Sequence, residues 1–253
     1  MDFDALVAEA ESVPVDGWEF SWFDGRATEG RPPWGYQRLL ARRLPAARRV
    51  LDLQTGGGEV TAGALRMSGA RPRRLVATES WPPNVTIARQ TLQPWNATVL
   101  ECADTEVPVA EASFDLVVSR HPVVTPWRGI ARALAPGGSY LSQQVGSGSV
   151  REITAAMIGP YEIGRERDPL VLAAQAREAG LTVTALEQAA LPMEFRDIGA
   201  VIVFLRKVIW IVPGFTVERY RDQLRVLHER ICRDGPFRAT SERFLIECRR
   251  DRE

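Results

Sequence analysis

Three acids and a glycine cluster stand where an α/β chain would do chemistry. Val50-Leu51-Asp52-Leu53 is a short apolar run that ends on an acid and runs into Gln54-Thr55-Gly56-Gly57-Gly58. Glycines let a backbone turn tightly at positive φ and let a ligand come close. The helix that follows would aim its free N–H groups at whatever is bound. Glu79 ends a second apolar run, 21 positions after Gly58. That spacing suits a carboxylate that accepts hydrogen bonds from ribose hydroxyls. Asp104 follows a third run, placed to accept from an adenine amine. Any one of these acids alone reads equally well as a helix cap or a solvated strand end. Three in order, each after its own strand, point to one nucleotide-type site.

The elements that would position them alternate. Strands are expected at 48–53, 75–79, 97–102, 114–118, 139–145, 181–186 and 237–248. Helices are expected at 2–11, 36–44, 58–67 and 84–92, at 125–135 with Thr125 as N-cap and Pro126 at N1, and from Asp168 to Ala179. Pro136-Gly137-Gly138 reads as the stop before the fifth strand. Strand–helix alternation of this length implies parallel βαβ units, hence a doubly wound, mostly parallel seven-stranded α/β sheet. Residues 195–233 carry two helical patterns parted by Val212-Pro213-Gly214, with Asp197 as an N-cap, and would form a late cap inserted before the last strand. Trp18, Phe20, Trp22 and Phe23, with Trp34 and Tyr36 beyond a Gly/Pro loop, read as an N-terminal lid or as cover for the core edge. The expected organisation is one domain over 1–253, with a cap at 1–47, a cofactor half at 48–146 and a substrate half at 147–253.

Composition bounds the partners. Of 253 residues, 32 are basic and 32 acidic, so the net charge is zero, which argues against DNA as a partner. Short arginine clusters such as Arg71 to Arg74 read as solvated surface. Cys102, Cys232 and Cys248 are far apart, and with only His121 and His228 no zinc spacing exists, so no metal is expected. The start of the chain is acidic, without the basic region of a signal peptide, and the apolar run Ile198 to Val212 is broken by Arg206 and Lys207. A reducing cytoplasm and no membrane are expected.

Five stretches in order carry a family resemblance. Val50 to Gly58 resembles the first motif of class I S-adenosylmethionine-dependent methyltransferases, and Thr78-Glu79 their second. Ala103 to Pro108 resembles the acidic stretch after their third strand, Ala112 to Val118 their fourth-strand entry, and Leu134 to Gly138 the turn into their fifth. The resemblance covers residues 48–146 and implies a Rossmann-like sheet whose last strand is antiparallel. It implies S-adenosyl-L-methionine at Asp52, Gln54, Gly56, Gly58, Glu79, Ser80, Asp104 and Ser119, with Glu79 on the ribose, Asp104 on the adenine and Trp81 beside the ring. Two features depart from the pattern. Gln54 stands where the family's first glycine is usual, and Asp104 to Pro108 is one residue shorter than the common form. A nicotinamide fingerprint would need a third glycine where Thr61 stands.

The reaction implied is methyl transfer to a small-molecule acceptor in a bacterial cytoplasm. His121, just past the fourth strand, is either a general base or a hydrogen-bonded histidine that shapes the turn before Pro122. Arg120 could bind an acidic group, and one of Gln143 and Gln144, with Gln144 as the candidate, faces the pocket because strand side chains alternate. Trp22, Tyr36 and Trp210 complete the candidate acceptor site. Two alternatives remain from the sequence: an RNA-modifying methyltransferase, and a non-catalytic donor-binding scaffold suggested by Gln54.

Overall fold

The computed structural model describes residues 2–15 and 21–252, so Trp18 and Phe20 lie outside the described residues. The elements in chain order are α1 (Phe3–Ser12), β1 (Ala27–Glu29), α2 (Tyr36–Arg43), β2 (Arg49–Leu53), α3 (Glu59–Ser68), β3 (Arg74–Glu79), α4 (Pro82–Leu92), β4 (Thr98–Glu101) and β5 (Phe114–Arg120). They continue with α5 (Trp127–Ala133), β6 (Leu134–Val145), α6 (Arg151–Ile158), α7 (Pro169–Glu178), β7 (Thr182–Phe195), α8 (Ile198–Lys207), α9 (Arg221–Asp234) and β8 (Phe237–Arg249). The strand order is β1-β7-β8-β6-β5-β2-β3-β4. Pairs β2–β3, β2–β5, β3–β4 and β5–β6 are parallel, whereas β8 runs antiparallel to β6 and β1 antiparallel to β7. The sheet is mostly parallel and its last strand antiparallel, as the sequence implied. The eighth strand, β1, is only three residues long, too short for an alternation to show.

Two compact units divide the chain. One comprises the segments up to Arg31, Ser147–Gly164 and Ala190–Glu242; the other comprises Pro32–Gly146, Arg165–Ala189 and residues from Arg243 onward. The first is built on apolar faces of α1, α6, α8 and α9, with Leu6, Ile153, Val201 and Leu224 among its buried residues. Asp197 caps α8 as expected, accepting from Ala200 N–H at 2.8 Å. Among the described residues no helix is long and apolar enough to cross a membrane.

The second unit carries the parallel strands. Alternation sends Leu51 and Leu53 of β2 to a core with α5 and α7, and Val50 to a core with α2 and α3. Asp115 fixes the start of β2, since its carboxylate accepts the N–H groups of Arg48 (3.1 Å) and Arg49 (2.9 Å) and the Arg49 guanidinium (2.7 Å).

Several local expectations change. Helix α5 begins at Trp127 with Pro126 in the capping position, because the Thr125 hydroxyl is turned to Gln144 Nε2, which donates to it at 3.1 Å. Pro136-Gly137-Gly138 is not a stop between elements but an irregularity inside β6. The register jumps from Phe114↔Leu134 to Leu116↔Ser139 there. Gly137 has φ +76, and a Cβ on Gly138 would lie 2.9 Å from the Ala135 carbonyl oxygen and 3.1 Å from that of Phe114. Strand β7 runs on to Phe195, past the end expected from alternation. Pro192 gives the extension no N–H, but its carbonyl accepts from Gly30 N–H at 2.8 Å. Helix α6 was not read from the sequence.

Gly58 opens α3 at φ +81, and a Cβ there would come within 2.9 Å of Leu92 Cγ on α4. Gly58→Ala therefore meets left-handed strain of about 1–2 kcal/mol and overpacking of about 1–3 kcal/mol. Denaturant unfolding should show a loss of about 2–5 kcal/mol; a loss below about 0.5 kcal/mol contradicts this packing.

Candidate active site

Strand register brings the sequence-predicted acids to one rim. Asp52 pairs with Ala77, Glu79 with Glu101, Leu53 with Ser119, and Arg120 with Gln143, so the carboxyl ends of β2, β3, β4 and β5 lie side by side. An open α/β sheet binds its ligand at this edge.

Glu79 is the centre of the rim. Its Oε2 accepts from Gly56 N–H at 2.7 Å, and its Oε1 accepts from Ser80 N–H at 3.1 Å and Trp81 N–H at 3.0 Å. Burial raises its pKa, and these three N–H groups work against that rise. Three donors leave about one of a carboxylate's four acceptor positions free.

Asp52 shapes the turn itself. It is buried, and its Oδ2 accepts from Thr55 Oγ1 at 2.5 Å and Thr61 Oγ1 at 2.6 Å. The carboxylate therefore ties the turn to α3. Burial pushes its pKa up to about 6, partly opposed by the two hydroxyls. The folded value is above the unfolded one, so this group's stabilising contribution is complete below pH ~4 and lost as pH rises through ~6. Asp52→Asn removes that dependence. Between pH 4 and 7 the variant should gain about 2 kcal/mol relative to the parent chain, read by denaturant unfolding at each pH. A difference that is constant with pH contradicts the assignment.

Gln54 holds φ +54, a left-handed conformation unusual for a side chain of its size. Its amide is a clasp. Nε2 donates to the carbonyls of Asp104 (3.2 Å) and Val124 (2.7 Å), and Oε1 accepts from Val123 N–H (2.6 Å). Its own N–H donates to Thr78 Oγ1 at 3.2 Å. One side chain thus joins the glycine turn to the loops that follow β4 and β5.

The remaining donor-side and acceptor-side candidates separate. Ser119 is fully buried, with its Oγ bonded to Tyr140 OH (2.7 Å) and Ser142 Oγ (2.9 Å), so it lies beneath the rim. Burial pushes the Tyr140 phenol up to about 12. Tyr36 is buried too, and donates to the carbonyl of Ser119 at 2.9 Å. Gln144 turns to Thr125, and Gln143 is the one of the pair that meets His121. Trp22 belongs to the first unit, where it packs against that unit's core 4.3 Å from the Arg26 guanidinium. Trp210, also in that unit, is 44% exposed.

A chain of hydrogen bonds sets the state of His121. Trp34 Nε1–H, which can only donate, gives its proton to Gln143 Oε1 at 2.7 Å. That fixes the amide, so Gln143 Nε2 is the atom 2.9 Å from His121 Nε2 and must donate to it. His121 Nε2 therefore carries the lone pair, already engaged, and the ring proton is on Nδ1. Burial, and then the charges of Arg120, Arg243 and Arg167, hold its pKa well below the usual value, so the ring is neutral at pH 7. Of the pair Gln143 and Gln144 offered by the sequence, it is Gln143 that meets His121. Trp34, Arg167 and Arg243 were not among the residues the sequence marked for the site, and the one signal was the aromatic run that includes Trp34.

The residues fit S-adenosylmethionine by the chemistry of their donors and acceptors. A partly unsatisfied carboxylate at Glu79, a turn with Gly56 at φ +62, and Asp104 past β4 offer what a ribose, a close-lying backbone and an adenine amine require.

Residues 50–138 match the family model described as a methyltransferase domain. No curated protein matches the chain. Among solved structures, the chain is similar to the YcgJ protein of Bacillus subtilis, with 18% identity over 86% of this chain and 98% of that one and a TM-score of 0.62. A candidate methyltransferase of Bacillus halodurans C-125 has 16% identity over 85% and 98%, with a TM-score of 0.57. A candidate sarcosine dimethylglycine methyltransferase of Galdieria sulphuraria has 16% identity over 99% of both chains, with a TM-score of 0.54. The resemblance read from the sequence thus agrees with a methyltransferase-domain match over residues 50–138 and with a fold shared with these structures.

Proposed function

We propose that this chain transfers the methyl group of S-adenosylmethionine to a small-molecule acceptor. The observation that carries the reading is the closure of the Glu79 carboxylate on the Gly56 N–H, on the rim it shares with Asp104. When bound, the donor supplies a methyl group on a cationic sulfur, open to direct displacement. The chain's work is then alignment and exclusion of water. Glu79 would hold the ribose and Asp104 the adenine, while Asp52, Thr55 and Thr61 keep the turn in shape. His121 does not act as a base in this arrangement, since its Nε2 lone pair accepts from Gln143 and its cation is disfavoured. A neutral amine or a carboxylate needs no base, whereas a hydroxyl or carbon acid does. Three unpaired cysteines suit a reducing cytoplasm.

Calorimetry with the demethylated product, S-adenosylhomocysteine, tests the reading. Saturable binding at micromolar ligand is expected; no heat at millimolar ligand with well-folded protein overturns it. A second reading, donor binding without turnover, is favoured by the Gln54 clasp, which bridges loops around the same rim. Product release over a broad acceptor panel separates the two.

A further inference from the structure

We propose that Arg48, Arg71 and Arg73 form a second binding site, one that takes a small ligand carrying two or more phosphate groups. The site does not depend on the methyl-transfer reading. Its place in the fold makes the first part of the argument. Arg48 and Arg73 are the residues just before β2 and β3, and Arg74 N–H donates to the Arg48 carbonyl at 3.1 Å, so the two arginines enter the sheet side by side. They stand at the amino ends of these strands, whereas Asp52 and Glu79 stand toward the carboxyl ends. Strand β3 is six residues long, which puts about 20 Å between Arg73 and Glu79 at about 3.3 Å per residue. A cavity of about 420 Å³ opens at this amino end, lined by the three arginines together with Leu44 and with Ser68 and Gly69 at the end of α3. That volume lies in the range of small-ligand sites.

Charge is the second part. No residue lining the cavity is a carboxylate. Among the described residues, the guanidinium groups of Arg48 and Arg73 have no hydrogen bond and no ion pair. Asp115 is already engaged, with its carboxylate on the Arg49 guanidinium at 2.7 Å and on the backbone N–H of Arg48 and Arg49. Arg71 donates to the Pro94 carbonyl at 2.8 Å, a neutral partner that holds the side chain and leaves its charge in place. Arg74 turns elsewhere, over the Phe114 ring at 5.0 Å. Exposure alone would leave these arginines solvated, as the sequence suggests. What sets them apart is that three like charges share one concavity with nothing of opposite sign in its walls, an arrangement that an entering anion relieves. Arginine presents its donors as a planar fork that matches phosphate oxygens in pairs. A ligand with two phosphate groups engages more than one fork at once.

Calorimetry with pyrophosphate and with inorganic phosphate tests the site, with S-adenosylhomocysteine present and absent. Pyrophosphate should bind saturably, one per chain, at least fivefold more tightly than phosphate and more weakly as salt rises. Arg48→Gln and Arg73→Gln should each weaken pyrophosphate at least fivefold, while affinity for S-adenosylhomocysteine stays within twofold. Both side chains are exposed and without partners, so the variants keep the fold. Arg89→Gln, an exposed change on α4 outside the cavity, should leave pyrophosphate affinity within twofold. No pyrophosphate binding, binding that survives Arg48→Gln and Arg73→Gln, or an equal loss with Arg89→Gln overturns the proposal. A short single-stranded oligoribonucleotide separates the two sources of phosphate: if it binds through Arg48 and Arg73 and pyrophosphate does not, the surface reads a nucleic-acid backbone and the small-ligand proposal falls. Failure of the methyl-transfer reading looks different: pyrophosphate binds, but S-adenosylhomocysteine does not.

Discussion

Glu79→Gln should weaken S-adenosylhomocysteine binding about a hundredfold in calorimetry, which corresponds to about 3 kcal/mol. The carboxylate accepts three backbone N–H groups, two on Oε1 and one on Oε2. Glutamine keeps one acceptor oxygen and turns an NH2 toward an N–H. Hydrogen bonds to a charged acceptor contribute about 1.5–3 kcal/mol each, so the turn loses its anchor and the ribose its strongest acceptor. The loss of fold stability should be smaller than the loss of binding. Burial already disfavours the charged form of Glu79, and neutral glutamine is spared that cost. Product affinity within threefold of the parent chain contradicts the role given to Glu79.

Gln54→Gly should act in the opposite direction on affinity. The amide of Gln54 makes three neutral hydrogen bonds to the loops after β4 and β5. At about 1 kcal/mol each they stabilise a closed rim. A ligand lying between the glycine turn and those loops must first open them. Glycine removes the clasp and relieves about 1–2 kcal/mol of left-handed strain at φ +54. The expected result is a rise in product affinity of about tenfold or more, together with a modest fall in melting temperature from the loops set loose. A fall in affinity of tenfold or more contradicts the clasp and makes the Gln54 side chain a direct ligand contact.

Much of the parallel half was legible in the sequence, because each βα unit there carries its own local signal. Apolar runs ended in Asp52 and Glu79, and glycines marked the turn where backbone φ is positive. What escaped was set by distance along the chain. Gln54 reads as a mere departure from a glycine pattern until Asp104 and Val124 are seen within reach of its amide. His121 reads as a candidate base until Trp34, 109 positions before Gln143, fixes that amide and so the tautomer of the ring. Asp52 and Ser119 stand at strand ends in stretches that resemble donor-binding motifs, and the sequence does not show where their side chains turn. Their side chains turn instead to Thr55 and Thr61, and to Tyr140 and Ser142. Strand β1 and the far end of β7 depend on each other's hydrogen bonds, so neither could be read alone.

A crystal structure of the chain with S-adenosylhomocysteine bound tests the donor site most directly. The account predicts the ribose hydroxyls within hydrogen-bond distance of the Glu79 carboxylate, the adenine beside Asp104, and the Gln54 amide moved off the carbonyls of Asp104 and Val124. A product molecule bound away from this rim, or one bound here with all three Gln54 hydrogen bonds intact, would contradict it.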